Sequence, residues 1–230
     1  MKITFISDTH TKHEEISKDL PGGDLIIHAG DLMNSGYEPI DITRFVNWYS
    51  SLLTMDYKHR VFIAGNHDRM FEDNPELTKE LINAYSGGLI YLKDQTHVID
   101  GVKIYGSPWQ PEFYDWAFNL PRNGWELEQR WKDIPDNTDM LITHGPPYGY
   151  LDVPGGKKFQ VGCELLRERV DAIPPKIHVF GHIHGSAGYY FNGHTHFINA
   201  SVLDERYTYT NLPLTFEWDK LTNEIQWQRD

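Results

Sequence analysis

Five short apolar runs in this chain are each followed at once by side chains that commonly bind metal ions. The runs and the residues that follow them are Lys2–Ser7 with Asp8 and His10, Asp24–Gly30 with Asp31, Arg60–Gly65 with Asn66, Met140–Thr143 with His144, and Lys176–Gly181 with His182 and His184. A β-branched apolar run that ends in Asp, Asn or His is typical of a strand that ends at a polar site. Because α/β folds hold their ligands at the carboxyl ends of strands, we expect these seven side chains at one edge of a sheet.

Helical and strand patterns alternate through most of the chain, which is typical of the α/β class. Apolar periodicity and capping residues predict helices over Ile42–Leu53, Pro75–Tyr85, Trp125–Lys132 and Gly162–Ala172. A strand pair is expected from Gly88–Leu92 and Val98–Gly106, and further strands over Gly188–Tyr190, His196–Ser201, Pro213–Trp218 and Glu224–Trp227. These elements predict two packed mixed β-sheets, a sandwich flanked by helices, in a single domain over residues 1–230.

Charge and hydropathy narrow the range of partners. The 33 acidic residues outnumber the 21 basic ones, and the net charge of −12 argues against duplex nucleic acid or an anionic membrane as the main partner. No apolar run approaches the roughly 20 residues that a membrane helix needs. The first residues match a strand and lack the features of a signal peptide, so a cytoplasmic location is expected. Nothing in the sequence indicates an oligomeric state.

The spacing of the candidate ligands suits metal binding. Asp8 and His10 are two positions apart at one strand end, so their side chains leave the same face, and His182 and His184 repeat this spacing. Carboxylate, imidazole and one amide oxygen together suit first-row divalent ions. Two ions that share a carboxylate would use all seven ligands. We expect two divalent ions, with Mn²⁺ first and Fe²⁺, Zn²⁺, Co²⁺ or Ni²⁺ as alternatives.

Five motifs connect the chain to a known family. They are Asp8-Thr9-His10, Gly30-Asp31, Gly65-Asn66-His67-Asp68, Thr143-His144-Gly145 and Gly181-His182-Ile183-His184. In this order they resemble the motifs of the calcineurin-like metallophosphoesterases, and the resemblance runs from Ile3 to about Phe216. The stretches Thr143–Pro147 and Phe197–Ser201 resemble the small metallophosphoesterase-domain branch of phosphodiesterases, which includes brain-expressed animal members.

The resemblance implies a role for each motif residue. Asp8, His10 and His184 would hold the first ion, Asn66, His144 and His182 would hold the second, and Asp31 would bridge the two. Some animal relatives lack one histidine of the final pair and are weakened as enzymes. This chain has both histidines, which favours a working enzyme.

The mechanism that follows is hydrolysis of a phosphoester by a hydroxide that bridges the two ions. His67 is expected to act as a catalytic residue that donates a proton to the leaving oxygen. Asp68 would orient the His67 ring, although a turn-capping role fits Asp68 equally well. The substrate is expected to be a small phosphodiester such as a 2′,3′- or 3′,5′-cyclic nucleotide. The alternatives are a phosphomonoesterase or pyrophosphatase with the same metal core, and a binding protein without activity.

Residues outside the five motifs are also candidates for the site. Substrate contact is expected from Asn66, His67 and Trp109, and Trp109 with Trp116 and Tyr148 would form an aromatic wall for a base or aryl leaving group. The alternative role for these aromatic residues, which the sequence favours, is to cover the core. Asn199 either supports the metal site or caps a strand end. Among the other histidines, His28 is expected inside the core, whereas His13 and His178 are expected at the surface or at strand ends.

Overall fold

The structure is a computed structural model that describes residues 1–55, 57–84, 88–219, 222 and 224–228. In this part of the chain the strands are β1 (Lys2–Ile6), β2 (Leu25–Ala29), β3 (His59–Ile63), β4 (Leu89–Tyr91), β5 (Gln95–Ile99), β6 (Val102–Ser107), β7 (Gln110–Pro111), β8 (Asn119–Leu120), β9 (Met140–Thr143), β10 (Ile177–Phe180), β11 (Gly188–Phe191), β12 (His196–Asn199), β13 (Leu214–Asp219) and β14 (Glu224–Gln228). The helices are α1 (His13–Ile16), α2 (Pro39–Ser51), α3 (Arg69–Asp73), α4 (Pro75–Ala84), α5 (Trp125–Lys132) and α6 (Glu164–Ala172).

Twelve of these strands form two six-stranded sheets. The first sheet has the order β14-β13-β1-β2-β3-β4, and the second has the order β11-β12-β10-β9-β6-β5. Strands β1 to β4 run parallel in the first sheet, as do β12, β10, β9 and β6 in the second, and antiparallel strands complete both sheets. The fold is therefore α/β with two mixed sheets, as the sequence predicts.

The two sheets pack on each other through their apolar inner faces. This inner core draws on both sheets, with Phe5 and Ile27 from the first, Ile104 and Val179 from the second, and neighbours that are equally buried. A second buried cluster, which includes Phe45, Phe62 and Leu166, fills the space between the sheets and the helices outside them. Both faces of the central strands are thus covered, which explains their continuous apolar runs.

The four predicted helices are present with shifts at their ends, whereas the short helices α1 and α3 were not predicted. Helix α2 begins at Pro39 rather than Ile42, because proline is well suited to the first helical turn. Helix α6 begins at Glu164, with the Cys163 sulfur accepting the Leu166 N–H as its cap. The predicted end of α4 at Tyr85 lies outside the described residues. No helix among the described residues is both long enough and apolar enough to span a membrane.

The expected pairing of Gly88–Leu92 with Val98–Gly106 is wrong. Strand β4 lies parallel to β3 in the first sheet, whereas Val98–Gly106 runs from the end of β5 through most of β6, which form a hairpin in the second sheet. The hairpin turns at Asp100 and Gly101, which have φ of 49° and 85°. An Asp-Gly pair with positive φ is a strong hairpin signal, because such a turn matches the twist of the strands.

Candidate metal centre

The five predicted strand ends meet on one side of the fold. Strands β1, β2 and β3 run parallel in the first sheet, and β9 runs parallel to β10 in the second. The two sheets are linked there by a parallel bridge between Ser7 and Ser201. The loops that leave these strands carry the seven candidate ligands, so both sheets contribute to one site.

The first group of candidate ligands lies around Asp8. Ligand atoms of Asp8, His10 and His184 lie within 4.8 Å of one another, a spacing that could hold one metal ion. The His184 Nε2 atom is 3.4 Å from Asp8 Oδ1. The His10 Nε2 atom is buried and has no hydrogen-bond partner among the described residues. A buried imidazole nitrogen left without a partner calls for an explanation, and a metal ion supplies one.

The second group lies around Asp31. Ligand atoms of Asp31, His144 and His182 also lie within 4.8 Å of one another. The His144 Nε2 atom is 3.3 Å from Asp31 Oδ1 and 2.9 Å from Asn66 Oδ1. The other oxygen of Asp31, Oδ2, is 3.7 Å from His10 Nε2. Asp31 therefore lies between the two groups, with one carboxylate oxygen toward each.

Main-chain carbonyls fix the orientation of three imidazole rings. The Nδ1 atoms lie 3.0 Å from Met33 O for His10, 2.9 Å from Ala29 O for His144, and 2.9 Å from Asp204 O for His184. A carbonyl oxygen only accepts, so each Nδ1 carries a hydrogen, and Nε2 is left to offer its lone pair to the site. Histidines that bind metals are commonly oriented in this way.

The backbone around the site is held in an unusual conformation. Asp8, His10, Asp31 and His182 have φ of 55°, 41°, 56° and 68°. Positive φ is uncommon outside glycine, and residues held there concentrate at functional sites. The His182 N–H lies 3.1 Å and 3.0 Å from the two Asp8 oxygens, and Ser201 Oγ donates to Asp8 Oδ2 at 2.7 Å.

Burial and charge coupling between the carboxylates and the imidazoles act against each other at this site. Burial favours the neutral acids, but the adjacent histidines outweigh it and lower the pKa of Asp8 and of Asp31, with His184 acting on Asp8 and His144 on Asp31. Burial also disfavours charge on His144 and His184, yet the carboxylates raise the pKa of each to about 9. In contrast, burial lowers the pKa of His10 to about 4 and that of His182 to about 3. The carboxylates thus require positive charge beside them, and metal ions could replace these protons.

His67 lies at the edge of the same site. One of its ring nitrogens is within 4.8 Å of ligand atoms of His10 and Asp31. Its Nδ1 atom donates to the Asn34 carbonyl oxygen, and its main-chain N–H donates to Asp31 Oδ1 at 2.8 Å. The Nε2 atom is therefore the nitrogen free to exchange a proton with a ligand.

Asp68 does not orient the His67 ring. Its carboxylate accepts hydrogen bonds from the main-chain N–H groups of Leu32, Met33 and Gly65, at 3.2, 2.9 and 2.7 Å. Asp68 instead ties together the loops after β2 and β3, which is the turn-capping alternative. Burial raises the pKa of Asp68 to about 7, and the charge of Asp31 acts in the same direction.

The aromatic wall differs from the one expected. Trp109 is buried, its Nε1 donates to Asp94 Oδ2 at 2.7 Å, and the Arg130 guanidinium lies 4.4 Å from its ring centroid. The structure therefore contradicts substrate contact by Trp109, because the indole ring serves the core. Tyr148 is exposed but is not among the described residues that line the cavity beside the site. Trp116 alone of the three reaches the site, where its ring packs on His67.

A cavity of about 360 Å³ opens beside the candidate metal ligands. His182 and His184 line it together with apolar side chains such as Phe113 and Ile183. Tyr207, which no sequence signal marked, also lines this cavity, and its ring centroid is 4.7 Å from that of His10. The only guanidinium among the described lining residues, that of Arg122, is engaged by the carbonyls of Val161 and Gly162 and by Glu164.

His13 and His178, which were expected at the surface or at strand ends, are both buried. The His13 Nδ1 and His28 Nε2 atoms each lie 2.9 Å from Thr9 Oγ1, between the ligands Asp8 and His10. In the second sheet, His178 Nε2 lies 2.9 Å from Thr143 Oγ1, next to His144. The burial of His28 in the core is confirmed. Asn199 supports the site indirectly, since its Nδ2 donates to the Ile183 carbonyl at 2.9 Å and its Oδ1 accepts from the Ser201 main-chain N–H at 3.2 Å.

Comparison with known families decides the class of this centre. The family model described as calcineurin-like phosphoesterase matches residues 1–186. The chain belongs to the calcineurin-like phosphoesterase family. This phosphoesterase is accordingly a metal-dependent phosphoric ester hydrolase, as the motifs predicted.

Relatives of this phosphoesterase occur in animals. It is 39% identical over 236 residues to metallophosphoesterase domain-containing protein 1 of Homo sapiens, in an alignment that covers 94% of this chain and 70% of that protein. It is 35% identical over 232 residues to a UPF0046 protein of Caenorhabditis elegans, in an alignment that covers 94% of this chain and 80% of that protein. The predicted resemblance to the metallophosphoesterase-domain branch is confirmed by these matches.

Solved structures share the fold at low sequence identity. The protein TT1561 of Thermus thermophilus aligns with a TM-score of 0.66 at 14% identity, and the alignment covers 99% of this chain and 97% of that chain. A structure described as a novel archaeal phosphodiesterase aligns with a TM-score of 0.50 at 16% identity, and the alignment covers 99% of both chains. At this identity the alignments support the fold alone.

Proposed function

We propose that this phosphoesterase is a phosphodiesterase that hydrolyses a small phosphodiester, such as a cyclic nucleotide, with two divalent metal ions. One observation carries the proposal. Three imidazoles, those of His10, His144 and His184, donate Nδ1–H to main-chain carbonyls and present Nε2 toward Asp8 and Asp31. This arrangement supports a site built for cations between two carboxylates.

The ligand groups favour a division into two sites. Asp8, His10 and His184 would hold one ion, Asn66, His144 and His182 would hold the other, and Asp31 would lie between both. When bound, the ion pair would supply an activated water and the charge that holds two phosphoryl oxygens. Mn²⁺ is the ion we expect first, with Fe²⁺, Zn²⁺, Co²⁺ or Ni²⁺ as alternatives, because the donors mix nitrogen and oxygen.

His67 is the proposed proton donor. Because its Nδ1–H is engaged by Asn34, its Nε2 carries the transferable proton when the ring is charged. Donation from Nε2 to the leaving oxygen would prevent a charged alkoxide from forming. Groups that act in this way contribute about 10² to 10⁴ fold to rate.

The cavity favours an esterifying group without negative charge. Its described lining includes Glu112 and Glu205, and its single guanidinium is already paired. A second phosphate would meet like charge there, whereas an uncharged group would meet apolar side chains. This charge pattern supports a diester over a pyrophosphate.

A cytoplasmic location stays a prediction from the sequence.

A panel of phosphoesters tests this function. Protein stripped with a chelator and reloaded with Mn²⁺ is expected to hydrolyse 2′,3′- or 3′,5′-cyclic nucleotides and an aryl phosphodiester faster than the matched aryl monoester and pyrophosphate. Asp31→Ala should abolish turnover, while the control Asp136→Asn, at a side chain that is 82% exposed, should not. Faster turnover of the monoester or pyrophosphate would favour those activities instead. A fully loaded protein that cleaves no ester would overturn the proposal.

A further inference from the structure

Trp116 covers one face of the His67 ring. The two ring centroids are 4.2 Å apart, and the ring planes are tilted by 30°. On another side, the His10 ring meets His67 edge-on at 4.7 Å with an interplanar angle of 86°. His67 is only half-buried, and the Tyr207 ring also lies near it, with the two ring centroids 6.4 Å apart.

The position of Trp116 is tied to the loop that carries His67. The next residue, Ala117, donates its N–H to the Asn66 carbonyl at 3.1 Å, and the Phe118 N–H donates to Glu72 Oε2 at 2.8 Å. Ala117 and Phe118 are both fully buried. The indole therefore projects from a segment that is buried and hydrogen-bonded directly to the main chain of Asn66, a candidate metal ligand.

These contacts control the imidazole in two ways, through a hydrogen bond and through ring packing. The hydrogen bond from Nδ1 to Asn34 determines which nitrogen faces the site. It does not by itself fix the tilt of the ring, because the torsion between Cβ and an aromatic ring is broad. The indole on one face and His10 at another side restrict that tilt.

We propose that Trp116 is a positioning residue, whose ring holds the His67 imidazole at the angle from which Nε2 delivers its proton. This inference rests on the proposed role of His67 as proton donor. Trp116 was expected from the sequence to form a wall for the substrate, a role that would act on substrate binding instead. The two roles differ in what they change, because a positioning residue alters turnover and a wall alters affinity.

The size of the expected effect follows from the sensitivity of catalysis to geometry. A misplacement of about 1 Å lowers the rate about 100-fold, and we expect a tilted His67 ring to cause a smaller loss of the same kind. Trp116→Ala is therefore expected to lower kcat about tenfold on a diester with a poor leaving group, with KM changed by less than about threefold. The loss should be smaller with a 4-nitrophenyl leaving group, which needs little protonation. Trp116→Phe, which keeps a flat ring, should recover most of the activity.

A double-mutant cycle with His67 separates positioning from general structure. In a His67→Ala background, Trp116→Ala should lower kcat by less than a further factor of about two, because the imidazole that Trp116 positions is absent. Trp125→Ala, at a side chain that is 71% exposed on α5, is the matched control for loss of an indole and should retain wild-type kcat. If Trp116→Ala lowered kcat by the same factor with and without His67, the proposal would be overturned. A rise in KM at constant kcat would overturn it as well.

Nuclear magnetic resonance of the zinc-loaded protein tests the contact without turnover. With labelled histidine, the His67 ring is expected to give one sharp set of signals in the wild type and in Trp125→Ala. In Trp116→Ala these signals should shift and broaden, while the metal content stays at the wild-type level. Unchanged His67 signals, or loss of metal, would contradict positioning. If no phosphoester is cleaved but the signals respond as expected, the proposed function fails while the positioning of His67 stands.

Discussion

At the scale of single residues, the centre depends on how closely the main chain packs around Asp8. Gly181 precedes His182, and a methyl group placed on it would fall inside contact distance of Asp8 Oδ2 and Ser7 Oγ. Both neighbours are fully buried and held by hydrogen bonds, so neither has room to withdraw. Glycine at this position is thus required by the approach of the second sheet to the Asp8 carboxylate.

Gly181→Ala is therefore expected to displace Asp8 and to weaken metal binding at the first group. Overpacking of this kind costs about 1–3 kcal/mol in the free energy of unfolding. Metal analysis after dialysis and urea unfolding check both effects. Gly156→Ala is the control, since open space surrounds that glycine and only its φ of 69° opposes the change. A Gly181→Ala protein with a full metal load and wild-type stability would show that Asp8 tolerates the shift.

A second residue-level prediction concerns His178, whose pKa burial lowers to about 3. An unfolded histidine titrates near 6.5, so between these values the unfolded chain binds the extra proton. The free energy of unfolding should therefore fall as the pH is lowered from about 6.5, by about 1.4 kcal/mol per pH unit for this residue. His178→Gln keeps a donor toward Thr143 Oγ1 but does not titrate.

Urea unfolding of the metal-free protein at pH 7 and pH 5 measures this difference. The wild type and the exposed control His194→Gln should lose more stability at pH 5 than His178→Gln does. Equal losses in all three proteins would mean that His178 is not kept neutral by the fold.

At the scale of secondary structure, the sequence predicted the strands of the site because each run is apolar on both faces. The run before Asp31, for example, becomes β2, which is buried along its whole length between two neighbouring strands. Glycine, asparagine and aspartate at the ends of such runs indicate where each strand ends. The seven candidate ligands follow from these boundaries, and the structure brings them together.

Contacts between distant segments could not be predicted from the sequence. Trp109 lies beside a motif, and only the fold shows that Asp94 and Arg130 cover it. Tyr207 follows no apolar run, and it reaches His10 from a loop near the other end of the chain. Asp68 follows His67 in the sequence whether its carboxylate binds the His67 ring or the main chain, so the sequence position does not distinguish the two roles. Side-chain direction decided each case, and sequence spacing does not specify it.

The loop-tying role of Asp68 gives a prediction at the scale of these elements. Asp68→Ala leaves three buried main-chain donors without an acceptor, and each such group costs about 1–3 kcal/mol. We expect a loss of at least about 3 kcal/mol in the free energy of unfolding, together with weaker metal binding, because the loops carry Asp31 and Asn66. Asp68→Asn, which keeps one acceptor oxygen, should lose less.

Urea unfolding and metal titration measure the two effects of Asp68→Ala, and Asp136→Ala at an exposed position is the control. If Asp68→Ala instead keeps its stability and metal affinity and loses only kcat, Asp68 acts on His67 and the loop-tying role is wrong.

At the scale of the whole molecule, the candidate ligands divide between the two sheets. Asp8, His10, Asp31 and Asn66 follow strands of the first sheet, whereas His144, His182 and His184 follow strands of the second. Each ligand group combines residues from both sheets. Ions bound there would join the sheets at the edge where the ligand loops meet, and only the folded chain brings these side chains together.

Metal should therefore stabilise the folded state in proportion to the logarithm of its concentration. An ion at 100 times its dissociation constant adds about 2.7 kcal/mol to the free energy of unfolding. We expect Mn²⁺ to raise the urea midpoint of chelator-treated protein and excess chelator to reverse the rise. Asp31→Ala should lose most of this increment because Asp31 faces both groups, while Asp136→Asn should retain it. Measuring the increment within each variant removes any difference in baseline stability. If Mn²⁺ did not change the urea midpoint of the wild type, the two sheets would not share a cation. This conclusion would hold at any rate of ester cleavage.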